Sequence, residues 1–170
     1  ESYTYGEYTI KHIYEPKPRT ALVARTFPDR FLHHAIVNIG EPIWSSRTYY
    51  HSYACIKGKG THAAHRQIAK LVAGYNYICH LDIHSFYASI DHNVLRYCDG
   101  LIDNYPTPCG IPIGNATSPW FGNVALWGVD DFIKHELKLP YVRYNDDMVI
   151  ASHDKSELVK ARERVRGYLW

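Results

Sequence analysis

Asp82, Asp146 and Asp147 are the residues whose type and spacing could do chemistry. Asp146 and Asp147 lie side by side between the apolar stretches Tyr141-Val142-Arg143-Tyr144 and Met148-Val149-Ile150-Ala151-Ser152. Asp82 closes the run Tyr77-Ile78-Cys79-His80-Leu81. A carboxylate at the end of a buried strand is costly unless it is paired or bound to a cation. If the two strands are neighbours in one sheet, the three carboxylates converge. Three anions within about 4–6 Å repel one another, and divalent metal ions relieve that repulsion. Oxygen-only ligands favour Mg²⁺ or Mn²⁺ over zinc. Two such ions about 3.5–4 Å apart are the apparatus of in-line phosphoryl transfer. The competing reading is an ordinary hairpin tip, since Asn145-Asp146 is a good tight-turn dipeptide.

The elements that must position these acids follow from periodicity and turn residues. Glu7 to Tyr14 alternates as a strand, and Thr20-Ala21-Leu22-Val23-Ala24 is its expected hairpin partner. Pro28 opens a predicted helix with Phe31, Leu32, Ala35, Ile36 and Ile39 on its inward face, closed near Gly40. Thr61 is the expected N-cap of a second helix with Ala64, Ile68, Leu71 and Val72 inward and Gly74 as its stop. Tyr77 to Ile83 reads as a buried strand, followed by a short helix from about Asp91 to Gly100 and a loop over residues 104–117. Ser118-Pro119 starts a long helix through Trp120, Val124, Leu126, Val129 and Phe132. A hairpin with its turn at Asn145-Asp146-Asp147 comes next, and Asp154 caps a final helix. Strands and helices mix without strict βαβ alternation, so the expected class is α+β.

The chain has 170 residues, 46% hydrophobic and 21% charged, which suits one domain with a real core and excludes disordered and low-complexity classes. No apolar run approaches the ~18 residues of a membrane span, and the first residues do not read as a signal peptide. Cys55, Cys79, Cys98 and Cys109 lie far apart and read as reduced thiols of a cytoplasmic protein. The histidines His33, His34, His62, His65 and His80 form no metal-spaced set with cysteines. Residues 1–80 carry ten Lys/Arg against five Asp/Glu, whereas residues 81–170 carry nine against twelve. A basic half suits a polyanion and an acidic half suits metal cations, although chance gives the same split.

Several segments together carry a family resemblance. Leu81-Asp82-Ile83-His84-Ser85-Phe86-Tyr87-Ala88-Ser89-Ile90-Asp91-His92 resembles reverse transcriptase motif A. Gly110-Ile111-Pro112-Ile113-Gly114-Asn115-Ala116-Thr117-Ser118-Pro119 resembles motif B, and Tyr144-Asn145-Asp146-Asp147 is similar to the tyrosine-x-Asp-Asp box of motif C. Glu15-Pro16-Lys17-Pro18-Arg19, Asp29 to Ala35, and Ser52-Tyr53-Ala54-Cys55 with Gly58-Lys59-Gly60-Thr61-His62 resemble the family's fingers motifs. The match runs through nearly the whole chain in the family's order. Within the family it is most similar to the bacterial group II intron and diversity-generating retroelement types.

The resemblance implies a right-hand polymerase with fingers at residues 1–76 and 100–117 and palm at 77–99 and 118–170, the thumb lying outside this chain. It implies templated transfer of deoxynucleotides to a primer 3′-hydroxyl by two Mg²⁺ ions, with Mn²⁺ able to substitute, bound together with the nucleotide. Asp82, Asp146 and Asp147 would be the metal ligands, with the Ile83 carbonyl a further contact. Lys17 and Arg19 would clamp the triphosphate, or simply form a solvated basic turn. Tyr87 would lie beneath the sugar and exclude a 2′-hydroxyl, its alternative being a core tyrosine. Ile113 and Gly114 would line the nucleotide, and Tyr144 would contact nucleic acid. Lys57 and Lys59 would grip the template backbone, with a mobile basic loop as the equal alternative. Three positions depart from the family pattern: Ile113 replaces a retroviral-type glutamine, Pro119 replaces the glutamine usual in the retroelement subgroup, and Asn145 is more polar than usual. The expected partners are an RNA template, a DNA or RNA primer and a deoxynucleoside triphosphate, with no membrane and any accessory protein unknown. Two other functions remain open: a nucleic-acid-binding relative without polymerisation, and an untemplated nucleotidyltransferase of an antiphage system.

Overall fold

The structure, a computed structural model, describes residues 6–14, 18–98 and 109–169. The chain divides into two units, residues 1–46 with 85–125 and residues 47–84 with 126–170.

In the first unit, β1 (Tyr8–Ile13) pairs antiparallel with β2 (Arg19–Ala24), from Tyr8↔Ala24 to Ile13↔Arg19. The helix α1 runs over Phe27–Arg47, well past the expected stop at Gly40. Gly40 is instead a seat for Trp44: a Cβ at Gly40 would come within 2.4 Å of the Trp44 ring. Trp44 in turn packs on Trp120 and Phe121, ring centroids 5.7 and 6.0 Å away. Of the expected inward face, Leu32, Ala35 and Ile36 are half-buried. Phe31 and Ile39 are 65% and 74% exposed, while Asp29, His33 and Gly40 are buried. Polar partners explain the burial of Asp29 and His33. Asp29 accepts from the Thr26 hydroxyl, and His33 Nδ1 lies 2.9 Å from Thr117 Oγ1. A 3₁₀ helix over His92–Cys98 stands where a helix from about Asp91 to Gly100 was expected, and a short helix α3 (Phe86–Ser89), not expected, precedes it. The expected end of that helix and residues 104–108 of the expected loop lie outside the described residues. The helix α4 covers Ser118–Ala125.

The second unit is built on a three-stranded antiparallel sheet in the order β3-β5-β4. Its strands are β3 (Tyr77–Leu81), β4 (Tyr141–Tyr144) and β5 (Asp147–Ser152). The helix α2 (Thr61–Gly74) lays Ala64 and Leu71 on Val142 and Ala151, with Tyr53 completing the cluster. Thr61 is the first helical residue, and Gly60 at φ 114° is its cap. Val72, expected inward, is 56% exposed. The predicted long helix from Ser118 does not continue to Phe132. Leu126 leaves helical geometry, and α5 (Trp127–Asp131) and a π-helix (Phe132–Leu137) follow. The final helix α6 (Lys155–Leu169) buries Leu158, Ala161 and Val165 and packs against β3 and β5. Asp154 Oδ1 accepts the Ser156 N–H at 2.8 Å, the cap expected from sequence.

The strand β3 is shorter and less buried than a continuous apolar run suggests. Tyr77 and Ile78 are 43% and 38% exposed because β3 is an edge strand. An apolar run without alternation cannot tell an edge from a centre.

Candidate active site

Strand register builds the site. β3 pairs with β5 from Tyr77↔Ser152 to Leu81↔Met148, so Asp82 and Asp147 are the residues that adjoin the last pair. On the other edge of β5, β4 ends at Tyr144↔Asp147, leaving Asn145 and Asp146 as the hairpin turn. The three aspartates therefore share one end of one sheet. Asp82 and Asp147 are exposed and Asp146 is half-buried. His80 is paired with Val149, and residues two apart on a strand share a face, so Asp147 lies diagonally across from His80 on that face. His80 Nε2–H donates to Asp147 Oδ1 at 2.9 Å, with both side chains more than half exposed. Asn145 has φ 53°, a left-handed conformation that asparagine tolerates better than most residues.

The opposite face of the hairpin is anchored by charge. Arg143 is fully buried, and its Nε and Nη2 donate to Asp130 Oδ1 and Oδ2, each at 2.7 Å. The Tyr141 hydroxyl donates to the same carboxylate. Burial works against the guanidinium charge, but the Asp130 carboxylate outweighs it and holds the arginine above its ordinary pKa. Burial, then Asp130, pushes the Tyr141 phenol up as well. Tyr49 stacks on Tyr141 at 4.6 Å, and burial first and Asp130 second push its phenol up to about 12.

The sequence profile of the family described as "Reverse transcriptase (RNA-dependent DNA polymerase)" matches residues 15–169. The chain belongs to the reverse transcriptase family. Members are nucleotidyltransferases with a polymerase palm fold, and the mixed helices and antiparallel sheets here agree with it. Comparison with curated proteins gave no match. The family generally works with divalent ions on RNA template, primer and nucleotides. The reverse transcriptase's own residues fit such ions by donor type and by place in the sheet: carboxylate oxygens suit Mg²⁺, and Asp82 and Asp147 adjoin the last β3–β5 pair beside the Asp146 turn. The side chains themselves are not gathered into a cage. Among the described residues, no three His, Cys, Asp or Glu side chains stand close enough to hold an ion.

The remaining expected residues of the reverse transcriptase are spread over both units. In the second, Ile83 is half-buried just past β3. The Tyr144 hydroxyl lies 3.2 Å from Thr61 Oγ1, with its ring against the α2 cluster. Lys57 is exposed. Lys59 is engaged internally: its ammonium donates to the Tyr50 and Ser52 carbonyls and lies 5.0 and 5.3 Å from the Tyr50 and Tyr53 ring centroids. In the first unit, Tyr87 is half-buried, with its ring 5.2 Å from Phe86. Ile113 is half-buried and Gly114 exposed at φ 113°, where a Cβ would meet Val23 Cγ2 at 2.9 Å. Lys17 and the Arg19 side chain lie outside the described residues.

Sequence reasoning passed over three residues of this framework. Asn115 pins the loop after Gly114 to β2, accepting the Ala24 N–H at 2.9 Å and donating to the Leu22 carbonyl at 3.1 Å. Asp130 and Arg143 were the others. An arginine at the same strand parity as Tyr141 was the available signal, because a charge on an inward face demands a partner.

Proposed function

We propose that the Asp82, Asp146 and Asp147 end of the sheet is the polymerase centre of this reverse transcriptase, acting by two-metal transfer of deoxynucleotides to a primer 3′-hydroxyl. The observation that supports it most is the β3–β5 register, which pairs Leu81 with Met148 and so brings their chain neighbours Asp82 and Asp147 to one end of the sheet although they are far apart in the chain. Bound divalent ions would lower the pKa of the primer hydroxyl and neutralise charge on the nucleotide phosphates. Asp82, Asp146 and Asp147 would hold them, with the Ile83 carbonyl beside Asp82. The chain's own contribution is positioning and fixed charge, which carry most of phosphoryl transfer. The three-stranded sheet is assigned to the palm and the β1–β2 hairpin to the fingers, where Lys17 and Arg19 would meet the triphosphate. Lys57 is free to reach a template phosphate; Lys59 would serve by shaping its loop. Motif order and the aliphatic Ile113 favour the bacterial group II intron or diversity-generating retroelement type.

The test is primer extension by the intact protein with an RNA template, a DNA template and no template. RNA-templated extension is expected, and untemplated addition would favour another nucleotidyltransferase. Asp146→Asn should lower kcat by at least about 100-fold, because one metal ligand stabilises the transferring charge by several kcal/mol. Near-normal extension by that variant would overturn the site assignment.

A further inference from the structure

The turn that carries Asp146 is tied to the protein interior by one side chain. Two arms of the Arg143 guanidinium hold both oxygens of Asp130 at 2.7 Å, and the third, Nη1, donates to the Asn145 carbonyl at 3.1 Å. Arg143 is itself immobilised along its backbone: its N–H donates to the His51 carbonyl and its carbonyl accepts the Tyr53 N–H, each at 3.0 Å. Asp130 sits on α5, 2% exposed, and also accepts from Tyr141. The Asn145 carbonyl belongs to the peptide that leads into Asp146, so its direction sets the plane from which the Asp146 side chain departs. Asn145 is also the residue held at φ 53°. A carbonyl clamped by a rigid, planar fork cannot rotate without breaking a half-buried charge-assisted bond.

We propose that Asp130 and Arg143 form a positioning pair that clamps the Asn145 carbonyl and thereby orients Asp146 and Asp147 toward their metal ions. The inference rests on the assignment of the catalytic acids above. Stability alone does not require this pair, since a buried ion pair can often be replaced by apolar residues of similar volume without loss. An apolar replacement keeps the core filled but cannot hold the carbonyl. That difference separates positioning from packing.

The experiment compares the intact wild-type protein with Asp130→Leu/Arg143→Met and with Arg143→Lys, reading melting temperature, kcat, KM for deoxynucleotide and the Mg²⁺ concentration at half-maximal rate. The double variant should melt within about 5 °C of wild type. Its kcat should fall about 10- to 100-fold, the scale of a small misplacement of reacting groups, with KM nearly unchanged. Its Mg²⁺ midpoint should rise about tenfold, as when a residue that orients a metal ligand is lost. Arg143→Lys, which keeps the charge but loses the fork, should fall between the two. A folded double variant with wild-type kcat and Mg²⁺ midpoint overturns the proposal. If the double variant does not fold, Arg143→Lys decides: wild-type kcat and Mg²⁺ midpoint in that variant overturn it. Asp146→Asn in the same assay keeps the two readings apart. Normal extension by Asp146→Asn removes the site assignment, whereas a dead Asp146→Asn beside wild-type clamp variants removes the clamp alone.

Discussion

Tyr87 lies across the face of α4: a Cβ added at Gly122 would come within 3.2 Å of Tyr87 Cε1 and 3.1 Å of Phe86 Cε1. The missing side chain of Gly122 therefore makes room for the ring. The proposed sugar-selecting role and a packing role differ in what a smaller side chain changes. If the ring excludes a 2′-hydroxyl, Tyr87→Val removes a clash worth about 2–4 kcal/mol and shifts the deoxy-to-ribonucleotide ratio of kcat/KM by roughly 30- to 1000-fold. A packing role would instead cost about 3–5 kcal/mol of stability and leave the ratio alone. Measuring kcat/KM for both sugars together with the melting temperature separates the outcomes. An unchanged ratio with a large fall in melting temperature would return Tyr87 to the core.

At the scale of elements, the loop between α1 and α2 shows one basic motif divided between two roles. Lys59 donates to the carbonyls of Tyr50 and Ser52, closing the loop that runs beside β4 through the Ser52↔Arg143 bridge. Burial lowers the Lys59 ammonium's pKa, as expected of a cation used internally. Lys59→Met keeps the stem but leaves the carbonyls without that donor, so stability should fall by about 1–2 kcal/mol in urea titrations. Lys57→Ala should leave stability unchanged while weakening RNA binding and reducing the slope of log K against log salt by about one. A Lys59→Met protein with full stability and a reduced salt slope would reverse these roles.

For the whole molecule, acid is the expected weakness. His33 in one unit is held below its ordinary value of 6.5 by burial, opposed by the Asp29 carboxylate and helped by His34. His51 in the other is lowered by burial and then by Lys59 and Lys70. A histidine whose folded-state pKa is lowered stays neutral in the folded protein while the unfolded chain takes up a proton. The unfolded state therefore binds more protons below about pH 6.5, and stability falls as pH drops through that range. The urea midpoint should be lower at about pH 5.5 than at about pH 7.5, and His51→Gln should flatten the difference. A midpoint that rises on acidification would contradict both shifts.

The hairpin from Tyr141 to Ser152 was legible in sequence because its contacts are local: two apolar stretches around a tight turn specify β4, β5 and the position of Asp146 between them, although Asp147, expected in the turn, is the first residue of β5. The Asp154 cap was legible for the same reason. Motif order alone also carried the family. What chain-local patterns do not contain is partner choice. The pairing of Leu81 with Met148, which brings Asp82 to Asp147, joins residues far apart in the chain. The helix α1 has apolar residues on more than one side, so periodicity announced the helix and the half-buried Leu32, Ala35 and Ile36 but misplaced Phe31 and Ile39. Asp29 and His33 are buried there because tertiary neighbours supply their hydrogen bonds. Arg143 follows the same logic. Its burial is tolerable only because α5 brings a carboxylate to meet both arms of its fork, and only the tertiary structure decided that the remaining arm would hold the Asn145 carbonyl.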